Sequence, residues 1–105
     1  MRRKGRVDVT QGSIVIALRA IGASVQPLSA IGDGVPDLLV GWENRNVLME
    51  VKQPYGPRGG SSADGQLLNE EQIKWHRAWK GQVAVVRSID QALDALGVEK
   101  PEVPA

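Results

Sequence analysis

Apolar residues fall in short runs along this chain, and their spacing changes from run to run. In SIVIALRAIG they recur at Ile14, Ala17, Leu18 and Ile21, a helical period, so a first helix is predicted over residues 10–21. Asp8 or Thr10 suits its cap and Gly22 its left-handed stop. ASVQPLSA is a modest strand signal, weakened by Pro27, and Gly32-Asp33-Gly34 marks a turn. Residues 36–42 and 47–53 then read as two strands joined through Glu43, Asn44, Arg45 and Asn46. YGPRGGSSADGQ reads as a mobile loop.

LNEEQIKWHRAWK carries the signals of a second helix. Asn69 caps it, Gln72 completes a capping box, Leu68 and Ile73 are spaced for a hydrophobic staple, and Gly81 is the expected stop. QVAVVRS reads as a buried strand. SIDQALDAL repeats the cap-and-box pattern with Ser88 and Gln91, and Gly97 ends it. The order of helix, three strands, helix, strand and helix predicts one α/β (α+β) domain over residues 1–105. A mixed central sheet would be flanked by helices, with loose tails at 1–7 and 98–105.

Composition narrows the function classes. A chain of 105 residues with 42% hydrophobic residues can bury one core. It has no cysteine, which excludes disulfides and thiolate metal sites and fits a cytoplasmic setting. No apolar stretch is long enough for a membrane span, and the basic start lacks the apolar run of a secretory signal. The net charge of +1 does not mark a strongly basic nucleic-acid binder. Arg2, Arg3, Lys4 and Arg6 read as a solvated terminus, and Lys74, Arg77 and Lys80 as a solvated helix face.

The hairpin poses the sharper question, because Asp37, Glu50 and Lys52 interrupt its apolar runs. With the turn centred between Asn44 and Arg45, Leu38 faces Val51, Val40 faces Met49, and Trp42 faces Val47. On the other face Asp37 lies opposite Lys52, and Glu50 opposite Leu39. The plainer reading is a cross-strand ion pair beside a solvated glutamate. Yet that face also carries Leu39 and Leu48, where unpartnered charge is costly.

Two carboxylates and an amine suit metal-assisted hydrolysis. Asp37 and Glu50 offer hard oxygens to Mg²⁺ or Mn²⁺, and the Val51 carbonyl a third. Lys52 can orient a water or stabilise charge developing on a phosphate, which makes a phosphodiester the natural substrate.

Pro36-Asp37 followed by Glu50-Val51-Lys52 resembles the signature of the PD-(D/E)XK nuclease superfamily. The longer pattern GVPDLLV…VLMEVKQP…LNEEQ…VAVVRS looks like its VRR-NUC branch, the virus-type replication–repair nuclease domain, over residues 8–96. The resemblance implies a restriction-endonuclease-like core of order αβββαβ, with the predicted C-terminal helix after it. It also implies Mg²⁺ or Mn²⁺ dependence and DNA cleavage of a structure-directed, junction- or flap-type kind, as in small phage members that work as homodimers. No organic cofactor is implied. Asp37, Glu50 and Lys52 carry over as the catalytic set, and Gln72 matches a glutamine that the branch places after its hairpin.

Relatives often carry a glutamate on the first helix as a further metal ligand. Here that place falls near Gln11, a poorer Mg²⁺ ligand, with Asp8 as a substitute. This departure supports a rival reading: a weak or inactive nuclease-fold module that binds nucleic acid or a protein. His76, the only histidine, reads as a structural or exposed helix residue rather than a general base. Trp75 and Trp79 read as core, Asp33 as a turn former, and Tyr55 and Arg58 as loop residues. Gly59-Gly60 lacks the context of a phosphate-binding loop.

Overall fold

The computed structural model describes residues 11–53 and 68–99. The candidate caps Asp8 and Thr10, the loop residues Tyr55, Arg58, Gly59 and Gly60, and most of the predicted tails lie outside these residues. The described elements are α1 (Gln11–Ala20), β1 (Ser24–Pro27), β2 (Leu38–Trp42), β3 (Arg45–Val51), α2 (Glu70–Ala78), β4 (Val83–Val86) and α3 (Ile89–Leu96). They form an α+β fold, a four-stranded mixed sheet with three helices. The strand order is β1-β2-β3-β4, with antiparallel β1–β2 and β2–β3 pairs and a parallel β3–β4 pair. The parallel step requires a crossover, and α2 lies within it.

Strand alternation divides the sheet into two unlike faces. Leu38, Val40, Val47, Met49 and Val86 point to one side and pack with Ile14, Val15 and Leu18 of α1 and Ala92 and Leu96 of α3. Leu39, Leu48, Glu50 and Val85 point to the other side. All the large fully buried apolar side chains of the sheet belong to the first side, which is therefore the core.

Local chemistry sets the element ends. Gly22 adopts φ +98°, and the Ala23 N–H donates to Leu18 O, closing α1 as predicted. Gly97 closes α3 in the left-handed region, and Val98 folds back so that its N–H meets Leu93 O. Val98 thus packs against the core instead of starting a loose tail. The Arg45 guanidinium donates to Leu96 O, tying the hairpin to the end of α3. α3 is capped by Ser88 Oγ, but the returning Gln91 side chain takes the Arg87 N–H rather than that of Ser88.

The hairpin differs from expectation in its register. Its loop is the two-residue Glu43-Asn44, both at positive φ (51° and 64°), the geometry of a type I′ turn. The pairs are Leu38–Met49, Leu39–Leu48, Val40–Val47, Gly41–Asn46 and Trp42–Arg45, replacing the predicted Leu38–Val51, Val40–Met49 and Trp42–Val47. The turn sits one residue earlier than predicted: Glu43 and Asn44, not Asn44 and Arg45, take its two left-handed positions. Moving the centre by one residue shifts every partner by two, so each side chain keeps its face.

α2 also departs from its predicted end. It stops at Ala78, with Trp79 in extended backbone (φ −75°, ψ 126°), rather than at Gly81. The Trp79 ring stacks back on Trp75 at 4.6 Å, and a Cβ on Gly81 would lie 2.9 Å from Trp79 Nε1. Gly81 therefore makes room for the ring. The two tryptophans are not core: Trp79 is 45% exposed, Trp75 is half-buried, and α2 contributes no fully buried residue.

Candidate functional site

The second face of the sheet centres on Glu50. It is 2% exposed, the one fully buried charged residue among those described, and it sits in β3 between Leu48 and Lys52. The observed register, carried one pair beyond Leu38–Met49, sets Asp37 opposite Glu50 rather than opposite Lys52. Asp37 is locked there by the Val51 N–H, which donates to its Oδ2 at 2.8 Å. The Asp37 carbonyl accepts from the Leu28 N–H at 2.7 Å. Both ends of Asp37 are thus fixed by backbone.

Two carboxylates facing each other on a dry surface need something positive between them. The protein answers with a proton: the Glu50 carboxyl is pushed from 4.5 up to about 8. Burial is the largest cause, followed by the charge of Asp37 and a side-chain hydrogen bond with it; the Lys52 ammonium works in the opposite direction.

The roof of the site is α2, set by its own cap. The Asn69 side chain accepts from the Gln72 N–H, and Gln72 Oε1 accepts from the Asn69 N–H, both at 2.9 Å. The remaining end of the same side chain, Gln72 Nε2, donates to Glu50 Oε2 at 2.9 Å. The two readings of Gln72, cap and site residue, are therefore both met by one side chain. Gly34 sets how close the roof comes. It has φ +80°, and a Cβ there would lie 2.4 Å from Glu71 O. Only glycine lets the segment before Asp37 touch the first turn of α2.

One turn along from Gln72, His76 presents Nε2 at 4.0 Å from Glu50 Oε1. Neither atom has a hydrogen-bond partner, and both are buried. The imidazole is held below its ordinary pKa, first by burial and then by the Lys52 charge. Sequence reading set His76 aside. The available signal was its spacing of four from Gln72, which puts both on one face of α2.

Not every predicted site residue converges here. Gln11 stands at the start of α1, where its Oε1 accepts from Ser29 Oγ at 3.3 Å. Asp33, at φ 58°, serves the turn before Val35. Val51 joins the site through its N–H. Among the described residues, no three His, Asp or Glu side chains close on a common point as they lie. The donor set nevertheless fits a cation in one respect: two carboxyl groups, Asp37 and the buried Glu50, stand side by side, and a cation could take the place of the proton that Glu50 holds.

No family model matches the chain, and no curated protein or solved structure gives a match. The nuclease resemblance therefore rests on the residues themselves. Among the described residues, no helix is long and apolar enough to cross a membrane.

Proposed function

We propose that the chain is a divalent-metal-dependent DNA endonuclease with a restriction-endonuclease-like core, acting on structured DNA and working as a homodimer. The observation that carries this reading is the Asp37–Glu50 pair: a carboxylate fixed by the Val51 N–H beside a buried carboxyl that holds a proton a cation could displace.

In this reading Asp37, Glu50 and the Val51 carbonyl hold Mg²⁺ or Mn²⁺. A cation so held supplies an acidified water and offsets phosphate charge. The chain's own residues do the rest. Val51 N–H fixes the angle of Asp37, and Gln72 Nε2 occupies Glu50 Oε2, leaving Oε1 for the cation. Lys52, the residue just after β3 and near enough to Glu50 to favour its charged form, provides the ammonium for charge developing on the scissile phosphate. Two copies related by a two-fold axis let one small site per copy address both strands.

The test is incubation of wild type with duplex, flapped, single-stranded and four-way DNAs plus Mn²⁺. Cutting is expected, stopping with chelator and in Asp37→Asn and Lys52→Ala. Full activity in Lys52→Ala would remove that residue from the chemistry.

A second reading is a catalytically weak nuclease-fold module that binds nucleic acid or a protein partner. It is favoured by Gln11, which bonds Ser29 and adds no carboxylate to the site. Calorimetric titration with Mn²⁺ separates the two, because a pure binder shows no site that depends on Asp37 and Glu50.

A further inference from the structure

The end of α2 carries a feature that the Asp37–Glu50 pair does not use. The Trp75 and Trp79 rings stack with centroids 4.6 Å apart and planes 17° from parallel, yet Trp79 remains 45% exposed. A lone exposed apolar residue needs no explanation. This one is braced. The Trp79 N–H donates to Trp75 O at 3.0 Å, and Gly81 leaves the room that a Cβ, 2.9 Å from Trp79 Nε1, would take. The exposed part of the indole is therefore a fixed aromatic surface, not a frayed helix end.

The charge around it is one-sided. Residues 74–80 read KWHRAWK, in which Lys74, Arg77 and Lys80 are exposed and no acid occurs. The acids of α2, Glu70 and Glu71, stand in its first turn, at the other end. The helix dipole accounts for that separation of charge, but not for a braced, exposed ring amid the cations. A flat face with a cationic rim suits a ligand that is both flat and anionic. A single-stranded nucleotide is such a ligand: its base stacks on the ring and its phosphates meet the cations. A second copy of the chain fits less well, because a two-fold contact would set this positive patch against itself.

The patch also borders the carboxylates. The Trp75 ring meets the His76 ring edge-on at 5.8 Å, and His76 Nε2 lies 4.0 Å from Glu50 Oε1. Resting on the nuclease reading above, we infer that Trp79, backed by Trp75, seats an unpaired base beside the cleavage site, while Lys74, Arg77 and Lys80 hold the flanking phosphates. The protein then selects DNA where duplex gives way to single strand. It does so with little regard to sequence, since every base has a face to stack.

The test uses two DNAs of equal charge: a duplex with a short single-stranded overhang, and the same DNA whose overhang lacks its bases. Both are titrated in EDTA so that neither is cut. Wild type is expected to bind the base-bearing overhang about tenfold more tightly. Trp79→Ala should bind both DNAs alike, at the weaker affinity, and Trp79→Tyr should keep most of the preference. Lys74→Ala with Lys80→Ala should weaken both DNAs equally and flatten the salt dependence. Equal wild-type affinity for the two DNAs overturns the inference whether or not the variants fold. Cutting of structured DNA by that same wild type with Mn²⁺ then leaves the nuclease reading standing. A dimer in sedimentation that Trp79→Ala dissolves also overturns the inference, by assigning the patch to a second copy. No cutting with the base preference intact ends the nuclease reading and keeps the stacking site.

Discussion

Gln72 Nε2 donates to Glu50 Oε2 while Gln72 Oε1 caps its own helix at the Asn69 N–H. One amide thus joins the start of α2 to the buried acid of β3. Gln72→Ala should remove the donor to the buried Glu50 Oε2 together with the cap, and cost ~2–3 kcal/mol in chemical denaturation. Asn69→Ala removes only the cap and should cost about 1 kcal/mol. Its effect on DNA cutting should be partial, because the Asp37–Glu50 pair remains and only the aim of Gln72 loosens. Equal loss of cutting in the two variants would show that the cap, not the amide–carboxylate bond, is what the site needs.

Gly34 offers a second test of how the roof is held. Gly34→Ala places a methyl 2.4 Å from Glu71 O at a φ of +80°. It should destabilise the protein by roughly 2–4 kcal/mol or push α2 away from Glu50. Gly32→Ala is the control: it has a similar φ of +78° but nothing within 4 Å. It should cost only the backbone strain of about 1–2 kcal/mol. Urea titration of the two variants reads the difference, and equal costs would mean that α2 does not press on this loop.

Much of this arrangement was legible in the sequence, and the misses have physical causes. Period-two alternation assigned Asp37, Glu50 and Lys52 to one face, and that survives the register correction because partners moved by two. The opposition of Asp37 to Glu50 was not legible. It depends on whether the turn centres on Glu43-Asn44 or on Asn44-Arg45, and nothing in the strands decides that. Helix starts were legible from caps, since Asn69 and Ser88 act through their own side chains. The end of α2 was not, because it is set by Trp79 stacking on Trp75, a contact between rings rather than a glycine signal. Large aromatic residues usually signal core. Here they cover a helix that lies over a polar face, so their size misled. His76 was missed because its partner lies 26 positions away, on β3.

The turn itself can be improved. Glu43 holds φ 51° with a side chain poorly suited to it. Glu43→Asn with Asn44→Gly should raise stability by about 1 kcal/mol, since Asn-Gly is the preferred pair for a type I′ loop. A turn centred one residue later would gain nothing from the change at position 43, so the denaturation midpoint also checks the register.

Glu50 makes stability depend on pH in a defined direction. Its folded pKa of about 8 lies above the ordinary 4.5, so the folded state binds the proton more tightly than the unfolded state. Stability from this group is fully present below about pH 4.5 and is lost as pH rises through 8. Glu50→Gln should flatten that dependence, gaining on the order of a few kcal/mol over wild type at pH 9. Thermal melts of both proteins from pH 5 to 9 give the comparison. Parallel curves would mean that Glu50 is ionised throughout.

The same proton links metal binding to pH. At pH 7 the Glu50 carboxyl, with its pKa near 8, carries a proton that a cation must displace. Mn²⁺ titrations in buffers of different ionisation enthalpy should report release of about one proton per ion at pH 7, falling toward zero above pH 9. Affinity should climb by up to about tenfold per pH unit between 6 and 8 and then level. In Asp37→Asn the neighbouring charge is gone, so proton release should shrink along with affinity. Mn²⁺ binding at pH 7 without proton release would mean that the ion sits elsewhere, and that Glu50 Oε1 meets no cation.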